Sequence, residues 1–478
     1  MNKIMNIRNI LFLFISVLML TIIMVCYSTS TSPLYPASYG WDSALFRFFG
    51  SELLHGKALY RDIWDHKGPV IYLINAVGAL GGTGNRGFNV LFLLQLASLF
   101  VTFLLMYLTC KIIKEQVSYL FFCFSFICSI SIFIETMEGG NLTEEWSLPA
   151  ISCSIYLFVR YCFNLQKEKN HPCRYAFIHG ICFSLLAFIR VNNAISIFCG
   201  AVVIGIYLIS QKKWKNLFQN LLFGLAGVAL ITIPIIVYAW SEKIFDDMIY
   251  AIFFYNFIYL KESTRITFTG LYFFQRYLPL ILSSFCIIIS LIKTRSFRLI
   301  DNIAIAMVAG NAIILIRSNI YLHYFTIFIP VFMFVMMLYF HNFMEIYLPL
   351  YFFLFLFFAI DAHVYQPINH ELVAKKNFPS VSYIPKTERK STVVINVSPA
   401  IYLNTGIKSC SRITSNQSIH LKIDKEMKDE FITTVLTEKP FWIITNCGNS
   451  FDEIDELLKK EYSPRFNDPG ACYFRRNE

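Results

Sequence analysis

The chain has 478 residues, of which 56% are hydrophobic, 17% aromatic and only 15% charged, and its mean hydropathy is +0.54. A chain with so few polar residues cannot cover itself as a soluble globular protein, so its solvent must be lipid. The net charge of +10 is spread over many loops rather than gathered in one stripe. That distribution indicates contact with anionic membrane lipid and excludes a nucleic-acid partner.

Apolar runs near the bilayer-spanning length of about 20 residues recur along the chain. They predict about eleven transmembrane helices, near residues 10–28, 88–110, 117–134, 147–164, 175–190, 194–210, 217–240, 274–292, 300–316, 324–340 and 343–360. No small-residue cleavage site follows the first run, so we expect it to be retained as an anchor.

Basic residues fall on alternate connections, which predicts that those connections are cytoplasmic. The positions are Lys3, Arg8, Lys111, Lys114, Lys167, Lys169, Arg174, Lys212, Lys213, Lys215, Lys293, Arg295 and Arg298. The amino terminus is then inside and the carboxyl terminus outside. Loops 29–87 and 135–146 and the chain after residue 361 are expected on the extracytoplasmic face.

The composition changes at about residue 361, which predicts a membrane domain over residues 1–360 and a small extracytoplasmic α/β domain over residues 361–478. The second part has no Gly-rich phosphate loop and no nucleophile elbow, so the chemistry is expected elsewhere. Its strand-like runs are Thr392–Val397, Phe441–Thr445 and Ala471–Phe474, with a charged helix near Phe451–Glu461. Its cysteines, Cys410, Cys447 and Cys472, are expected to act as small hydrophobes or to form at most one disulfide.

The first outer loop contains a candidate general base, Asp42. Trp41, Leu45, Phe48, Phe49 and Leu53 share one helical face, with Arg47 and Glu52 off it, as expected for a helix lying in the membrane interface. A carboxylate held at the headgroup level can take the proton of an acceptor hydroxyl. The alternative is that Asp42 only caps this helix.

The same loop continues with Arg61, Asp62, Asp65, His66 and Lys67 within one short stretch. Lys67 or Arg61 is suited to bind a phosphate, with arginine better able to make a bidentate contact. A solvated loop with internal salt bridges is the alternative interpretation. Asp65 and His66 alone are weak evidence for a metal, since no third ligand follows at a regular spacing.

The second outer loop has four carboxylates, Glu135, Glu138, Glu144 and Glu145, and neither lysine nor arginine. Such a concentration of negative charge is costly unless a ligand, a metal or distant bases compensate. Asn141 and the glutamates just after it precede a span, where helix capping explains one or two of them but not all.

Two further polar groups interrupt apolar sequence on the predicted outer face. Arg190 stands with Asn192 and Asn193, and a basic cluster at membrane depth is functional by default. His323 and Tyr324 come just before a late span, where tyrosine is also common as an interfacial anchor. Arg190 and His323 are therefore candidates for holding a lipid phosphate or sugar.

In motif order the chain resembles the GT-C superfamily of membrane glycosyltransferases, in particular the bacterial relatives of protein O-mannosyltransferases and of lipid A aminoarabinose transferases. Gly68 replaces the first proline of the usual Lys-Pro-Pro element, which leaves the subfamily and the sugar open. The matching elements are Trp41-Asp42, His66-Lys67-Gly68-Pro69, the acidic segment Gly139 to Glu145, Arg190-Val-Asn192 and His323-Tyr324.

The resemblance implies a GT-C-like polytopic helical enzyme of the inverting type in the bacterial cytoplasmic membrane. It would move a sugar from a polyprenyl-phosphate carrier to a cell-envelope acceptor on the outer face, with Asp42 as base. It leaves a divalent metal ion open. The donor would be bound by Arg61, Lys67, Arg190, His323 and Tyr324. The acceptor would be positioned by Asp62, Asp65, His66, Glu138, Asn141, Glu144 and Glu145.

Two other functions compete with this one. A flippase or other transporter of lipid-linked sugars needs charged residues through the middle of several spans, whereas here they concentrate at the outer ends. A non-catalytic subunit for polysaccharide assembly would use the acidic loops to bind a partner.

Overall fold

The structure is a computed structural model of the chain. It describes residues 14–19, 21–22, 25–26, 29, 31–32, 40–82, 85–113, 135–165, 170–262, 271–294, 297–317, 321–339, 378–403, 405–414, 418–447 and 451–477. The spans predicted at 117–134 and 343–360, and the predicted domain boundary near residue 360, lie outside this part of the chain.

The part up to residue 339 is helical. Its α-helices are α1 (Trp41–Leu54), α2 (Pro69–Ala79), α3 (Asn85–Ile113), α4 (Thr143–Phe163), α5 (Cys173–Ile189), α6 (Ile195–Ser210), α7 (Trp214–Ser241), α8 (Phe245–Ile249), α9 (Tyr255–Glu262), α10 (Leu271–Thr294), α11 (Leu299–Arg317) and α12 (Ile329–Tyr339). Short 3-10 segments are Glu135–Met137, Val191–Ala194 and Leu322–Phe328, and Tyr250–Phe254 is a π-helical turn.

Helices α3 to α7 and α10 to α12 coincide with predicted spans. Within the described ranges, four segments are long and apolar enough to cross a membrane: Val90–Ile113, Val191–Ser210, Trp214–Ser241 and Leu299–Ile316. Large apolar side chains of α7, among them Phe218, Leu221 and Leu225, are more than half exposed, as expected where the surrounding solvent is lipid. The chain is a polytopic α-helical membrane protein.

The chain forms two compact units, the first comprising residues 1–34, 92–235 and 265–370 and the second residues 35–91, 236–264 and 371–478. In the first unit, glycines let α5 and α7 approach closely. A Cβ on Gly180 would lie 2.1 Å from the carbonyl oxygen of Gly224. The hydroxyls of Ser184 and Thr232 meet across the same pair at 3.0 Å. Small residues and a hydroxyl pair are the usual means of helix association in lipid.

In the second unit, α1 and α2 pack so tightly that a Cβ on Gly50 would lie 2.4 Å from the carbonyl carbon of Asn75. The predicted helix at α1 is confirmed, but the expected polar face is not. Arg47 and Glu52 are only 5% and 8% exposed, and the ring of Tyr402 stacks on Phe48 at 4.5 Å. Other parts of the same unit therefore cover α1, and its position relative to the membrane interface stays a prediction.

The carboxyl-terminal part of the second unit contains a four-stranded sheet in the order β1-β2-β4-β3. Strands β1 and β2 are parallel, and β4 pairs antiparallel with both β2 and β3. The strands are β1 (Thr392–Ile395), β2 (Trp442–Thr445), β3 (Tyr462–Asp468) and β4 (Ala471–Arg476), and the helices are α13 (Ala400–Leu403), α14 (Ser418–Ile423), α15 (Lys425–Glu438) and α16 (Asp452–Glu461).

A disulfide joins Cys447 to Cys472, whose Cα atoms are 5.3 Å apart. Cys472 lies in β4 opposite Thr445 of β2, so the bond ties the end of one central strand to its neighbour. Cys410 stays free and partly buried. Of the two expectations for these cysteines, small hydrophobes or at most one disulfide, the second describes Cys447 and Cys472.

Candidate functional site

The second acidic loop folds into an unusual turn in the first unit. Glu138, Gly139, Gly140 and Asn141 are four consecutive residues with positive φ, at +42°, +84°, +77° and +59°. Left-handed backbone is strained for residues other than glycine, and such strain persists where the surroundings enforce it, often at functional sites. This turn carries the loop into helix α4.

Glu145, in the first turn of α4, holds the turn from inside. Its carboxylate accepts hydrogen bonds from the backbone N–H of Asn141 at 2.5 Å and from Nε2 of Gln95 at 3.0 Å. Gln95 in turn accepts a hydrogen bond from the hydroxyl of Thr31. Glu145 thus stabilises the fold of the loop. Its side chain reaches back to a backbone N–H before the helix, like the glutamate of a capping box.

Gly140 cannot be replaced without moving this network. A Cβ there would lie 2.6 Å from Nε2 of Gln95 and 3.1 Å from a carboxylate oxygen of Glu145. We expect Gly140→Ala to cost about 2–4 kcal/mol, combining backbone strain and overpacking. Gly82→Ala is the control, because Gly82 also has positive φ, at +88°, but nothing lies within 4 Å of its Cβ position. Equal losses of thermal stability in detergent for the two variants would contradict this account.

Burial raises the pKa of Glu145 to about 7, although Gln95 and the backbone of Asn141 partly oppose the shift. The folded protein therefore holds this proton more tightly than the unfolded chain does. The associated stability is complete below the ordinary pKa and is lost as the pH rises to about 7. We expect the wild type to lose up to about 3 kcal/mol of unfolding free energy across this interval through this group.

Glu145→Gln should remove that component of the pH dependence. Thermal unfolding in detergent at pH 5.5 and pH 8 measures it. Glu456→Gln, at a carboxylate that is 72% exposed, is the control. The same pH dependence in the wild type and both variants would show that Glu145 does not titrate in this range.

Glu144 faces the other way from Glu145 and pairs with Arg190. The Arg190 Nη1 and Glu144 Oε1 atoms are 2.5 Å apart, with the side chains 12% and 2% exposed. Burial opposes ionisation of Glu144, but the charges of Arg190 and His323, together with hydrogen bonds from Thr143 and the backbone, hold the pKa of Glu144 below its usual value. This is a buried, charge-assisted hydrogen bond.

Tyr324, His323 and Glu138 lie around the pair formed by Arg190 and Glu144. The guanidinium of Arg190 lies 4.1 Å from the ring centroid of Tyr324. His323 Nδ1 is 3.0 Å from Glu138 Oε2. We call Glu138, Glu144, Arg190, His323 and Tyr324 the Arg190 cluster. Arg190 and His323, which are distant in sequence, thus pair with two of the carboxylates of the acidic loop. Compensation by distant bases was one of the three possibilities that the sequence left open, beside a ligand and a metal.

Asn193 supports the Arg190 cluster from the turn that follows Arg190. Its side-chain amide donates to the carbonyl oxygen of Thr143 at 3.1 Å and to the hydroxyl of Ser147 at 2.8 Å. It therefore fixes the Arg190 turn against the start of α4. Asn193 belongs to the polar group predicted with Arg190, whereas Gln95 was not predicted, although a polar side chain inside an apolar run is the signal for such a role.

In the second unit, Asp42 lies in the first turn of α1 and is partly exposed. The N-cap position belongs to Gly40, with no side-chain capping bond. No described residue donates a hydrogen bond to the Asp42 carboxylate, so the capping alternative has no contact to support it. Burial and the charge of Asp65 are the main causes that raise the pKa of the Tyr72 hydroxyl, and the charge of Asp42 adds to them.

Asp65, 2% exposed, is the centre of the second group. It accepts hydrogen bonds from the Tyr72 hydroxyl at 2.7 Å and from the backbone N–H of His66 at 2.8 Å. Burial opposes its ionisation, but Lys67 and His66 hold the pKa of Asp65 well below its usual range. The Asp65 side chain is therefore ionised, and its hydrogen bonds orient Tyr72 and the backbone of His66.

Lys67 Nζ is 3.8 Å from Asp65 Oδ2 and 3.3 Å from His66 Nε2. Its side chain is buried, and the ammonium lies 5.6 Å from the ring centroid of Phe46. We call Asp65, His66, Lys67 and Tyr72 the Asp65 cluster. A buried lysine with a carboxylate partner offers a localised positive charge for an anion.

Arg61 and Asp62 are placed differently. They pair with each other at 3.1 Å, and Arg61, 48% exposed, also reaches Glu242. Asp62 accepts a hydrogen bond from the backbone N–H of Ala58 at 2.8 Å. The structure thus gives both residues contacts of the kind expected for an internally paired loop. Their roles toward donor and acceptor stay predictions.

His420, in α14, joins the second unit's aromatic group without having been predicted. Its ring centroid lies 5.0 Å from that of His66, and its Nδ1 is 2.6 Å from the Tyr255 hydroxyl. Burial, together with the charge of His66, lowers the pKa of His420 well below its usual value. No spacing in the sequence indicates this role, because the ring contact joins His66 to His420, more than 350 positions away.

A metal ion is the cofactor that the sequence leaves open. Among the residues that the structure describes, no group of three His, Cys, Asp or Glu side chains is arranged to hold one. Asp65 and His66 lie together, but their polar atoms are engaged with Tyr72 and Lys67.

The fold is similar to that of known membrane glycosyltransferases. ArnT from Cupriavidus metallidurans, crystallised bound to undecaprenyl phosphate, matches with a TM-score of 0.60 at 11% identity, covering 98% of each chain. The oligosaccharyltransferase AglB from Archaeoglobus fulgidus, in complex with an inhibitory peptide and a dolichol-phosphate, matches with a TM-score of 0.55 at 11% identity, covering 97% of this chain and 74% of its own. Both have the GT-C fold, and identities this low show the fold alone.

By sequence, no curated protein matches the chain. A family model described as "Putative competence-induced protein Ccs4 N-terminal domain" matches residues 4–350, which is most of the chain. The chain has the GT-C fold and belongs to the competence-induced protein Ccs4 family.

Proposed function

We propose that this protein transfers a sugar from a polyprenyl-phosphate carrier to a cell-envelope acceptor, a glycan, lipid or protein, on the outer face of the bacterial cytoplasmic membrane. The observation that carries the proposal is the GT-C fold shared with ArnT over 98% of both chains. ArnT was crystallised with undecaprenyl phosphate and AglB with a dolichol-phosphate. A donor of this kind needs no nucleotide-binding motif, and the sequence shows none.

Each of the two units contains a buried cation suited to a phosphate. Glu144 engages one amino group of Arg190, and a guanidinium has five N–H donors. Lys67 is the cation of the Asp65 cluster and is more than nine-tenths buried. We assign Arg190 and Lys67, with His323 and Tyr324, to the phosphate and sugar of the donor. Little water competes for cations buried this deeply, which strengthens their contact with a phosphate.

Asp42 is proposed as the general base. The oxygen of the acceptor hydroxyl forms a bond to the anomeric carbon while the bond from that carbon to the phosphate oxygen breaks. The hydroxyl proton passes to the Asp42 carboxylate, and polyprenyl phosphate leaves with the bonding electrons. A single displacement of this kind inverts the anomeric configuration. Asp65, His66, Glu138, Asn141, Glu144 and Glu145 are proposed to shape and position the acceptor side.

The proposed orientation, with about eleven spans, the amino terminus inside and the carboxyl terminus outside, agrees with the disulfide between Cys447 and Cys472. Disulfides persist in oxidising compartments and are rare in the cytosol. The carboxyl-terminal α/β part then lies outside, on the same side as the proposed chemistry.

Binding of undecaprenyl phosphate to the purified protein tests the donor assignment. We expect Lys67→Gln to weaken binding at least about tenfold, the effect of losing one charge-assisted contact. Lys57→Gln, at an exposed lysine of the same loop, should leave it unchanged. Native mass spectrometry in detergent gives bound fractions, and thermal unfolding verifies that both variants fold. Equal binding by folded Lys67→Gln and wild type would remove Lys67 from the donor site.

A further inference from the structure

The first unit contains a cavity of about 340 Å³ between helices α4, α5, α6 and α7. Its volume falls within the range of small-molecule sites, about 300–1,000 Å³. Its walls are mostly apolar, and Phe198, Leu221 and Leu225 line it while being more than half exposed. The cavity is therefore open laterally to the lipid. None of the residues proposed for sugar transfer lines it.

Two buried histidines line this otherwise apolar space. His171 is 3% exposed and His179 is 6% exposed. Within the described residues, Nε2 of His171 and both ring nitrogens of His179 have no hydrogen-bond partner. Buried polar atoms are nearly always paired, and each exception calls for an explanation such as a ligand.

The tautomer of His171 follows from its neighbour Asn220. The Asn220 amide nitrogen donates to the carbonyl oxygens of His171 and Asn216, at 3.2 and 2.7 Å. The amide oxygen, 2.6 Å from His171 Nδ1, can only accept. Nδ1 therefore carries the hydrogen. Because an apolar cavity disfavours the charged ring, Nε2 presents a lone pair that needs a donor.

His179 needs the complementary partner. A neutral imidazole has one N–H donor and one acceptor. The ring centroids of His171 and His179 are 6.3 Å apart, so both rings border the same small region of the cavity. A hydroxyl both donates and accepts, so one hydroxyl can serve both rings.

Charge and position restrict the ligand further. No lysine or arginine lines this cavity in the described part of the chain, so it does not suit a phosphate. His171 precedes α5 on the predicted cytoplasmic connection, while Phe183, Phe198 and Val228 lie deeper along their helices. The polar end is thus at the predicted cytoplasmic boundary, and the apolar part extends into the membrane.

We propose that this cavity binds an uncharged single-chain lipid alcohol, with its hydroxyl between His171 and His179 and its chain along α5, α6 and α7. The site is separate from the proposed sugar-transfer residues and does not depend on them.

Photolabelling of the full-length protein in nanodiscs tests this site. The probe is hexadecanol carrying a diazirine near the end of its chain, and the matched probe is its methyl ether, which lacks the O–H donor. We expect the alcohol to label α5 to α7 at least five times more strongly than the ether, as mapped by peptide mass spectrometry. A farnesol-based diazirine distinguishes an isoprenoid from a straight chain. Equal labelling by alcohol and ether in the wild type would overturn the proposal without requiring any variant.

Variants give a second, independent check. Gly205 lines the cavity with open space at its Cβ position, so Gly205→Leu should fill it and reduce alcohol labelling at least fivefold. His171→Phe should do the same by removing the acceptor. Ile206→Leu, on the exposed face of the same helix, is the control and should label like the wild type. Unchanged labelling in folded Gly205→Leu would place the probe elsewhere and overturn the site.

Discussion

Replacing Asp42 by asparagine is expected to lower the rate constant for sugar transfer by about 10²–10⁴-fold, the usual contribution of a general base. Asparagine keeps the size of the side chain but cannot take a proton. Since Asp42 accepts no hydrogen bond from the residues that the structure describes, the unfolding free energy should change by less than about 1 kcal/mol. The loss should fall on kcat, with donor binding retained.

The matched control is Asp246→Asn, at an exposed aspartate in the first turn of α8, which should transfer sugar like the wild type. Kinetics of transfer and thermal unfolding of the same preparations separate the two interpretations of Asp42. If Asp42 only capped α1, its replacement would cost about 1 kcal/mol of stability and leave transfer intact. That outcome would remove it as the base.

Replacing Arg190 by methionine is expected to cost about 3–5 kcal/mol of stability, because it leaves the buried Glu144 carboxylate without its partner. Glu144 is 2% exposed and its only described cationic contact within hydrogen-bond distance is Arg190. The double variant Arg190→Met with Glu144→Gln should recover much of the stability, since no buried charge is then left. It should still fail to transfer sugar, because the proposed donor contact is gone.

Lys428→Met serves as the control for this pair, since Lys428 and Glu453 form a partly exposed ion pair, 31% and 47% exposed. Exposed pairs contribute about 0–1 kcal/mol. Thermal unfolding in detergent gives the stabilities of the wild type, Arg190→Met, Glu144→Gln, the double variant and Lys428→Met. Additive effects of the two substitutions would mean that Arg190 and Glu144 are not energetically coupled, contrary to the structure. Recovery of transfer in the double variant would remove Arg190 from the donor site.

The membrane helices could be predicted from sequence because lipid imposes a simple rule on apolar run length. The same rule on run length caused helix α2 to be missed. Its 11 residues, Pro69–Ala79, are apolar but too short to span, so they were assigned to an outer loop. The buried surface of α1 was also missed, because its covering residues lie elsewhere in the sequence.

Of the candidate site, the sequence indicated which residue types matter but not how they pair. The excess of acid in loop 135–146 predicted that something must compensate it, and Arg190 and His323 do so from 46 and 185 positions away. A long-range pair of this kind cannot be read from spacing. Glu144 and Glu145 are adjacent in sequence, yet one is held ionised by Arg190 and the other is buried against Gln95.

The most direct test of the account is acceptor-dependent release of polyprenyl phosphate by the purified wild-type protein in nanodiscs, supplied with a panel of polyprenyl-phosphate sugars and extracted cell-envelope acceptors. We expect at least one donor to yield free polyprenyl phosphate and labelled acceptor in equal amounts. Movement of intact lipid-linked sugar across the bilayer, with no release from any donor, would contradict this expectation and establish a transporter instead.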